Sequence, residues 1–264
     1  MIGIRDGSPR ALVPLLRVGR LRMPYGVGYG FTTRDGGVAA GPVRSLTLAR
    51  SPDVTDAQLV ENWRLVLEAL DPRLAAGDVA LVDQVHGDAV LAVTSATGPL
   101  TTAGAADAMY TVERGVALAV RVADCVPVVL ATPRAVGVAH AGWRGVASRI
   151  VPKTVAAMLE ATGEGPDEVV AAIGPYIGQA AFEVGDEVVD AISSSGVVAS
   201  LFAARAPGGK PHVDLGAALS AQLHGMGVAK VGEIGACSTE PRFFSYRRDA
   251  GRTGRMAGVV VRWA

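Results

Sequence analysis

The 264 residues include only four histidines and two cysteines, so each side chain of metal-ligand type can be weighed in turn. His86 follows the apolar run Val79-Ala-Leu-Val-Asp-Gln-Val85, and Gly87 breaks the chain directly after it. Cys125 follows Val120-Arg-Val-Ala-Asp124, with Pro127 two residues on, and His140 ends Val136-Gly-Val-Ala139. All three stand where strand-like segments stop, and loops held by rigid elements are where proteins present reactive groups. Two imidazoles and a thiolate with no fourth protein ligand suit a catalytic zinc, whose open position takes water. Blue copper uses the same trigonal set. The spacings of 39 and 15 residues match no local zinc-finger pattern, however, and a buried cysteine with two loop histidines gives the same string. His224 lies nine residues after Leu215, half a turn away in angle, and reads as a solvent histidine. His212, in Gly208-Gly-Lys-Pro-His212, reads as a surface loop residue, and Cys237 as a small core residue.

The elements that must position these residues are apolar runs alternating with helical patterns. Strands are expected at Val79–Val85, Val116–Val122, Val126–Ala131 and Val136–Ala139. Leu59, Trp63, Val66, Leu67 and Leu70 recur at helical spacing, as do Val151, Val155, Met158 and Leu159. A third helix is expected after Asp214 as N-cap, with Leu215, Leu219, Leu223 and Met226 on one face. Gly163–Pro166 and Pro207–Pro211 read as loops. No stretch has the length and composition of an interdomain linker. The expectation is one mixed α and β domain over residues 1–264.

Composition narrows the function classes. Half the residues are apolar and 19% are charged, which suits a chain with a large core and not a disordered one. Lys plus Arg and Asp plus Glu both number 25, so no net charge draws the surface to nucleic acid or anionic membrane. Arg5, Asp6, Arg10, Arg17 and Arg20 interrupt the first 22 residues, leaving no signal-peptide core. Arg121, Asp124, Pro127 and Arg134 interrupt the most apolar stretch, Val116–Ala141, and exclude a membrane span there. Two cysteines make no disulfide framework, so a monomer in the reducing cytoplasm is expected, acting on small molecules.

Ala123-Asp-Cys-Val-Pro127 together with His140-Ala-Gly-Trp-Arg-Gly145 resembles the YfiH family, also called the laccase-domain, DUF152 or peptidoglycan-editing-factor family. The resemblance runs nearly the whole chain. It takes in Phe31-Thr-Thr-Arg34 with Gly36-Gly37, Asp83-Gln-Val-His86, Ala106-Asp-Ala108, and Ile173-Gly-Pro175 with Phe182-Glu-Val184. It closes on Cys237, Phe243-Phe-Ser-Tyr-Arg-Arg248 and Thr253-Gly-Arg255. The resemblance implies that His86, Cys125 and His140 bind one zinc. It also implies β-sheets packed face to face between helical layers, an α-β-β-α sandwich. Members resemble enzymes that phosphorolyse adenosine, inosine and methylthioadenosine and that deaminate adenosine. Three positions depart from the family pattern: Thr47 and Tyr176 replace a usual Asn and Cys, and Trp63 follows Asn62 where Arg is usual, with Arg64 displaced by one.

Each activity makes its own demand on the residues. A water on zinc has its pKa lowered to about 7 and can attack a purine C6. The leaving ammonia then needs a proton, for which Asp107 and Asp124 are the nearest candidates. Asp124 could equally cap a turn beside Cys125. Phosphorolysis must hold a phosphate dianion, a task for the planar fork of arginine. Arg34, Arg144, Arg247 and Arg248 lie in the quoted motifs, although the group from Arg247 on also reads as a solvated basic edge. The chain has neither the nucleobase-deaminase signature nor a phosphate-binding Gly-x-x-x-x-Gly-Lys loop.

Three other enzymatic readings stay open. One is a copper-dependent polyphenol oxidase, disfavoured because two further histidines cannot build a trinuclear cluster, although copper could occupy the same ligands. Another is a cysteine hydrolase with Cys125 as nucleophile and His140 or His86 as base, on a fold similar to that of a toxin with such a dyad. The last is an editing hydrolase for peptidoglycan precursors. A binding module without catalysis would leave the gathering of ligands and arginines unexplained.

Overall fold

The computed structural model describes residues 13–263. Arg5, Asp6 and Arg10, read above as interrupting the N-terminal segment, lie outside the described residues. Two sheets carry the structure. The first orders β1 (Leu15–Leu16), β2 (Val27–Thr32), β13 (Met256–Arg262), β6 (Ala117–Val122) and β3 (Val79–Ala80). The second orders β12 (Lys230–Glu233), β9 (Val170–Ile173), β7 (Val126–Ala131), β8 (Val136–Ala141), β5 (Ala108–Thr111) and β4 (Val90–Ala92). A separate pair joins β10 (Ala203–Arg205) and β11 (Pro211–Val213).

The central strands are buried on both faces, so their sequences are nearly continuous apolar runs. Between the sheets, Phe31, Leu118, Val120 and Val260 of the first meet Met109, Val129, Val138 and Ala172 of the second. Phe31 lies against Gly174, where any side chain would overlap its ring. On the outer face of the first sheet lies α1 (Asp56–Leu70), packing Leu59, Trp63, Val66 and Leu67 on Ala117, Ala119, Val259 and Val261. Its start is fixed by a capping box, in which Gln58 N–H donates to Thr55 Oγ1 and Thr55 N–H donates to Gln58 Oε1.

The outer face of the second sheet is covered by α2 (Trp143–Ala147), α3 (Ile150–Thr162), α4 (Asp186–Ser193) and α5 (Leu215–Gly225). Val151, Val155 and Met158 of α3 and Leu215, Leu219 and Leu223 of α5 face the sheet as their periodicity predicts. Asp214 caps α5, its Oδ1 accepting from Ala217 N–H at 2.9 Å. The result is the α-β-β-α sandwich. Among the described residues no helix is long and apolar enough to cross a membrane.

Two local expectations are corrected. The strand expected over Val79–Val85 pairs as a strand only at Val79 and Ala80. Farther along, the Gln84 side chain takes the place of a backbone partner: its Nε2 donates to Arg121 O and its Oε1 accepts from Arg121 N–H, at 2.7 and 2.8 Å. His212 lies on β11 and not in a loop, paired with Ala204. One test of the inter-sheet core is Phe31→Ala, which should lower unfolding free energy by about 3–5 kcal/mol in urea denaturation. A loss below ~1 kcal/mol would mean that the two sheets close over the gap.

Candidate metal centre and its cavity

Cys125 sits where the chain passes from one sheet to the other. Strand β6 ends at Val122, β7 starts at Val126, and Asp124 makes the bend with a φ of 85°. His86, with a φ of 60°, is a second non-glycine residue in the left-handed region. Four such residues occur among those described, and two are at this site, where strain of this kind tends to gather. Asp124 is held in its bend by its own carboxylate, which accepts from Ser238 Oγ and from Arg247 N–H, both at 2.6 Å.

The histidines are placed by Asp107, which is fully buried just before β5. Its Oδ1 lies 2.7 Å from His140 Nδ1 and accepts from His86 N–H at 3.0 Å. Its Oδ2 accepts from Val85 and Gly87 N–H at 3.1 and 2.7 Å. His140 N–H returns a bond to Asp107 O at 2.7 Å. With Nδ1 engaged, His140 has Nε2 left to act as a ligand, the arrangement by which carboxylates orient metal-binding histidines. The two imidazoles meet edge to face with centroids 4.8 Å apart. Gly142 completes the enclosure, because a Cβ there would lie 3.1 Å from Cys125 Sγ and 3.3 Å from His86 Cδ2.

One ligand atom from each of His86, Cys125 and His140 falls within 4.8 Å of the others, and His86 Nε2 is 3.9 Å from Cys125 Sγ. A tetrahedral ion with bonds of ~2.0–2.3 Å sets its ligands roughly 3.3–3.8 Å apart, so the triad fits a metal after a small contraction. The electrostatics agree. Burial pushes the Cys125 thiol up, but His140 and His86 outweigh it and bring it down to about 6. Burial pushes His140 down, but Cys125 and Asp107 raise it to about 9. Burial likewise pushes Asp107 up, and its bonds from His140, Gly87 and His86 hold it below the usual carboxylate range. A thiolate beside an imidazolium is a donor set from which a cation displaces a proton.

The triad opens into a cavity of about 620 Å³, a volume in the usual range for small-molecule sites. Phe182, Tyr246 and Ile177 supply apolar wall, and Asp83, Gln84, Asp124, Arg121, Arg247 and Arg255 supply the polar lining. Of the four arginines singled out in the sequence, Arg247 lines this cavity, and Arg144 lines a smaller pocket that shares His86 and Cys125 with it. Arg34 is elsewhere: it donates to Arg44 O, lies over the Phe244 ring and lines a separate recess. Arg248 is occupied by Asp249 and by the carbonyls of Thr239, Glu240 and Phe243. Asp107 does not line the cavity; Asp124 does.

Arg121 and Arg255, which sequence reasoning does not assign to anion binding, line the cavity as well. The sign for Arg121 was a lone charge inside an otherwise apolar strand. Cys237 is half-buried and not a core residue, its Sγ accepting from Gly178 N–H at 3.1 Å. His224 is exposed as expected, with Nδ1 2.9 Å from Val228 O. Among the departures from the family pattern, Thr47 Oγ1 accepts from Arg255 N–H at 3.2 Å, Trp63 is buried under α1, and Tyr176 donates its hydroxyl between Asp214 and Glu233. Arg64 faces outward to Glu61 and Glu68. Because Asp107 orients His140, Asp107→Asn should weaken metal affinity roughly 10- to 100-fold, measured by chelator competition for zinc. Unchanged affinity would reduce Asp107 to a folding role.

The geometry can be set beside known proteins. The family model for multi-copper polyphenol oxidoreductase laccase matches residues 28–263. A Deinococcus radiodurans protein named purine nucleoside phosphorylase is 41% identical over 94% of this chain and 92% of its own length. Bacillus subtilis purine nucleoside phosphorylase YlmD is 35% identical over 88% of this chain and 87% of its own. The crystal structure of YlmD from Geobacillus stearothermophilus superposes with a TM-score of 0.84 at 31% identity, covering 96% of this chain and all of that one. With the fold, the whole matched length and the His-Cys-His cluster in agreement, the chain belongs to the laccase-like YfiH family, whose curated members named here are purine nucleoside phosphorylases.

Proposed function

We propose that this chain is a zinc-dependent purine nucleoside phosphorylase. The observation that carries the reading is a single cavity joining three metal ligands, an aromatic wall and arginines that have no ion-pair partner among the described residues. A purine ring has the shape and polarity to lie against Phe182 and Tyr246. In phosphorolysis a phosphate oxygen bonds to ribose C1′ as the C1′–N bond breaks, giving ribose 1-phosphate and a free purine. Arg247 stands at this cavity with its guanidinium 5.4 Å from the Phe182 ring centroid and its Nη1 and Nη2 donating to Glu183 O, which leaves its charge beside the base. Adenosine, inosine and methylthioadenosine share the purine and ribose that this wall would recognise.

His86, Cys125 and His140 would hold the metal, which when bound supplies a Lewis acid beside the substrate. Asp107 reaches the reaction only through His140, and the oxygens of Asp124 are taken by Ser238 and Arg247 N–H, so both serve as positioning residues in this reading. The donor set also suits copper. The remaining histidines, His212 and His224, lie outside the one group of three or more candidate ligands among the described residues, which supports a single metal and not a multinuclear copper cluster. Two free thiols agree with a reducing compartment, the cytoplasm.

Cys125→Ala tests ligand and reaction together. It should lose metal, by elemental analysis, and should lower phosphate-dependent release of adenine and hypoxanthine at least about 100-fold. Retention of both would overturn the reading. In the unmodified protein, about one zinc per chain with purine release abolished by chelation is expected. No metal, with Cys125 freely alkylated, would point to a cysteine hydrolase instead.

A further inference from the structure

The polar half of the cavity holds two arginines whose placement the metal does not explain. Arg121 lies on β6, paired with Ala257 of β13, and Arg255 immediately precedes β13. Because strand residues two apart share a face, the register makes Arg121 and Arg255 diagonal neighbours on one side of the sheet. Both line the cavity. Among the described residues no carboxylate lies within ion-pair distance of either; Asp83 is nearby but accepts from Thr102 Oγ1. Two like charges at this register repel, and the burial of Arg121 adds to the cost.

Each guanidinium uses only one of its nitrogens on the protein. Arg121 Nη2 donates to Val82 O at 2.8 Å, and Arg255 Nη1 donates to Thr253 and Gly254 carbonyls at 3.2 and 3.0 Å. Nε and Nη1 of Arg121, and Nε and Nη2 of Arg255, have no hydrogen-bond partner among the described residues. The backbones beneath them are fixed instead. Gln84 holds Arg121 at both N–H and C=O, while Thr47 Oγ1 and Leu48 N–H hold Arg255. Neighbouring cations on held backbone, with unused donors in one cavity, suit a doubly charged tetrahedral anion.

We infer that Arg121 and Arg255 bind the phosphate that phosphorolysis consumes, and that Thr47 and Gln84 are the positioning residues of that subsite. This assignment rests on the phosphorylase reading, but it can be tested apart from turnover. Inorganic phosphate is titrated by calorimetry into the metal-loaded wild type, Arg121→Met and Arg255→Gln, with the surface variant Arg50→Met controlling for net charge. Loss of one arginine should weaken phosphate binding roughly 10- to 100-fold, with metal content unchanged and the melting temperature held or raised. Arg255→Lys, which keeps the charge without the fork, should fall between.

In turnover, the phosphate KM should rise while the nucleoside KM stays near the wild-type value. Arg255→Gln lies outside the strand and keeps the test open if Arg121→Met does not fold. Phosphate affinity within twofold of wild type in both arginine variants would overturn the assignment. So would arginine-dependent binding of adenosine 5′-monophosphate without binding of inorganic phosphate, which would make this a nucleotide site. Arginine-dependent phosphate binding without turnover of any purine nucleoside would sustain the assignment of the anion site and count against the phosphorylase reading.

Discussion

A buried carboxylate holds the candidate site together. Asp107 is tolerated without solvent because four donors converge on it: the His140 ring and the N–H groups of Val85, His86 and Gly87. The three N–H groups belong to the segment that leaves the first sheet, while Asp107 and His140 belong to the second. One side chain therefore joins the layers and sets the positions of two of the three ligands. Cys125, the third, lies on the neighbouring crossover, where Asp124 makes the same kind of tie to the C-terminal segment through Ser238 and Arg247. Both carboxylates use their oxygens on the protein, which is why structure and site cannot be separated here.

Much of this was legible in the sequence because it depended on residue type and local pattern. The apolar runs at Val126–Ala131 and Val136–Ala139 marked strands and Asp214 marked a helix start, while His140, expected where a strand stops, lies inside β8. What stayed hidden depended on register and tertiary pairing. Arg121 was read only as a charge that breaks a membrane span, because its partner Arg255 lies 134 residues on and meets it through antiparallel pairing. Strand β2 alternates Val27, Tyr29 and Phe31 with Gly28, Gly30 and Thr32, a period of two that its glycines disguise as a loop, and its burial comes from the facing sheet. Gln84 replaced backbone pairing with a side-chain amide, so an apolar string looked like a longer strand than it is.

The motif arginines separate by what surrounds them and not by their place in the string. Arg247 and Arg248 are adjacent, yet Arg247, whose guanidinium donates only to the Glu183 carbonyl, lines the cavity, while Arg248 is absorbed by Asp249 and three carbonyls. An arginine that neutralises a neighbouring carboxylate and satisfies loop carbonyls is structural. One whose donors remain unused beside an enclosed space is available to a ligand. Arg34 and Arg255 both donate to backbone carbonyls, and place separates them: Arg255 lines this cavity and Arg34 a different recess.

The passage of the chain between sheets at Ala123–Cys125 has a thermodynamic consequence. The three ligands come from separate stretches of chain that unfolding would scatter, and an ion bound to all three would bind the native state far better than the unfolded one. Such an ion is linked to folding by mass action: at a free concentration 100 times its Kd it adds about 2.7 kcal/mol to stability. Metal supply and protein abundance would then be coupled quantities. A cell short of such an ion would hold a less stable population of this chain.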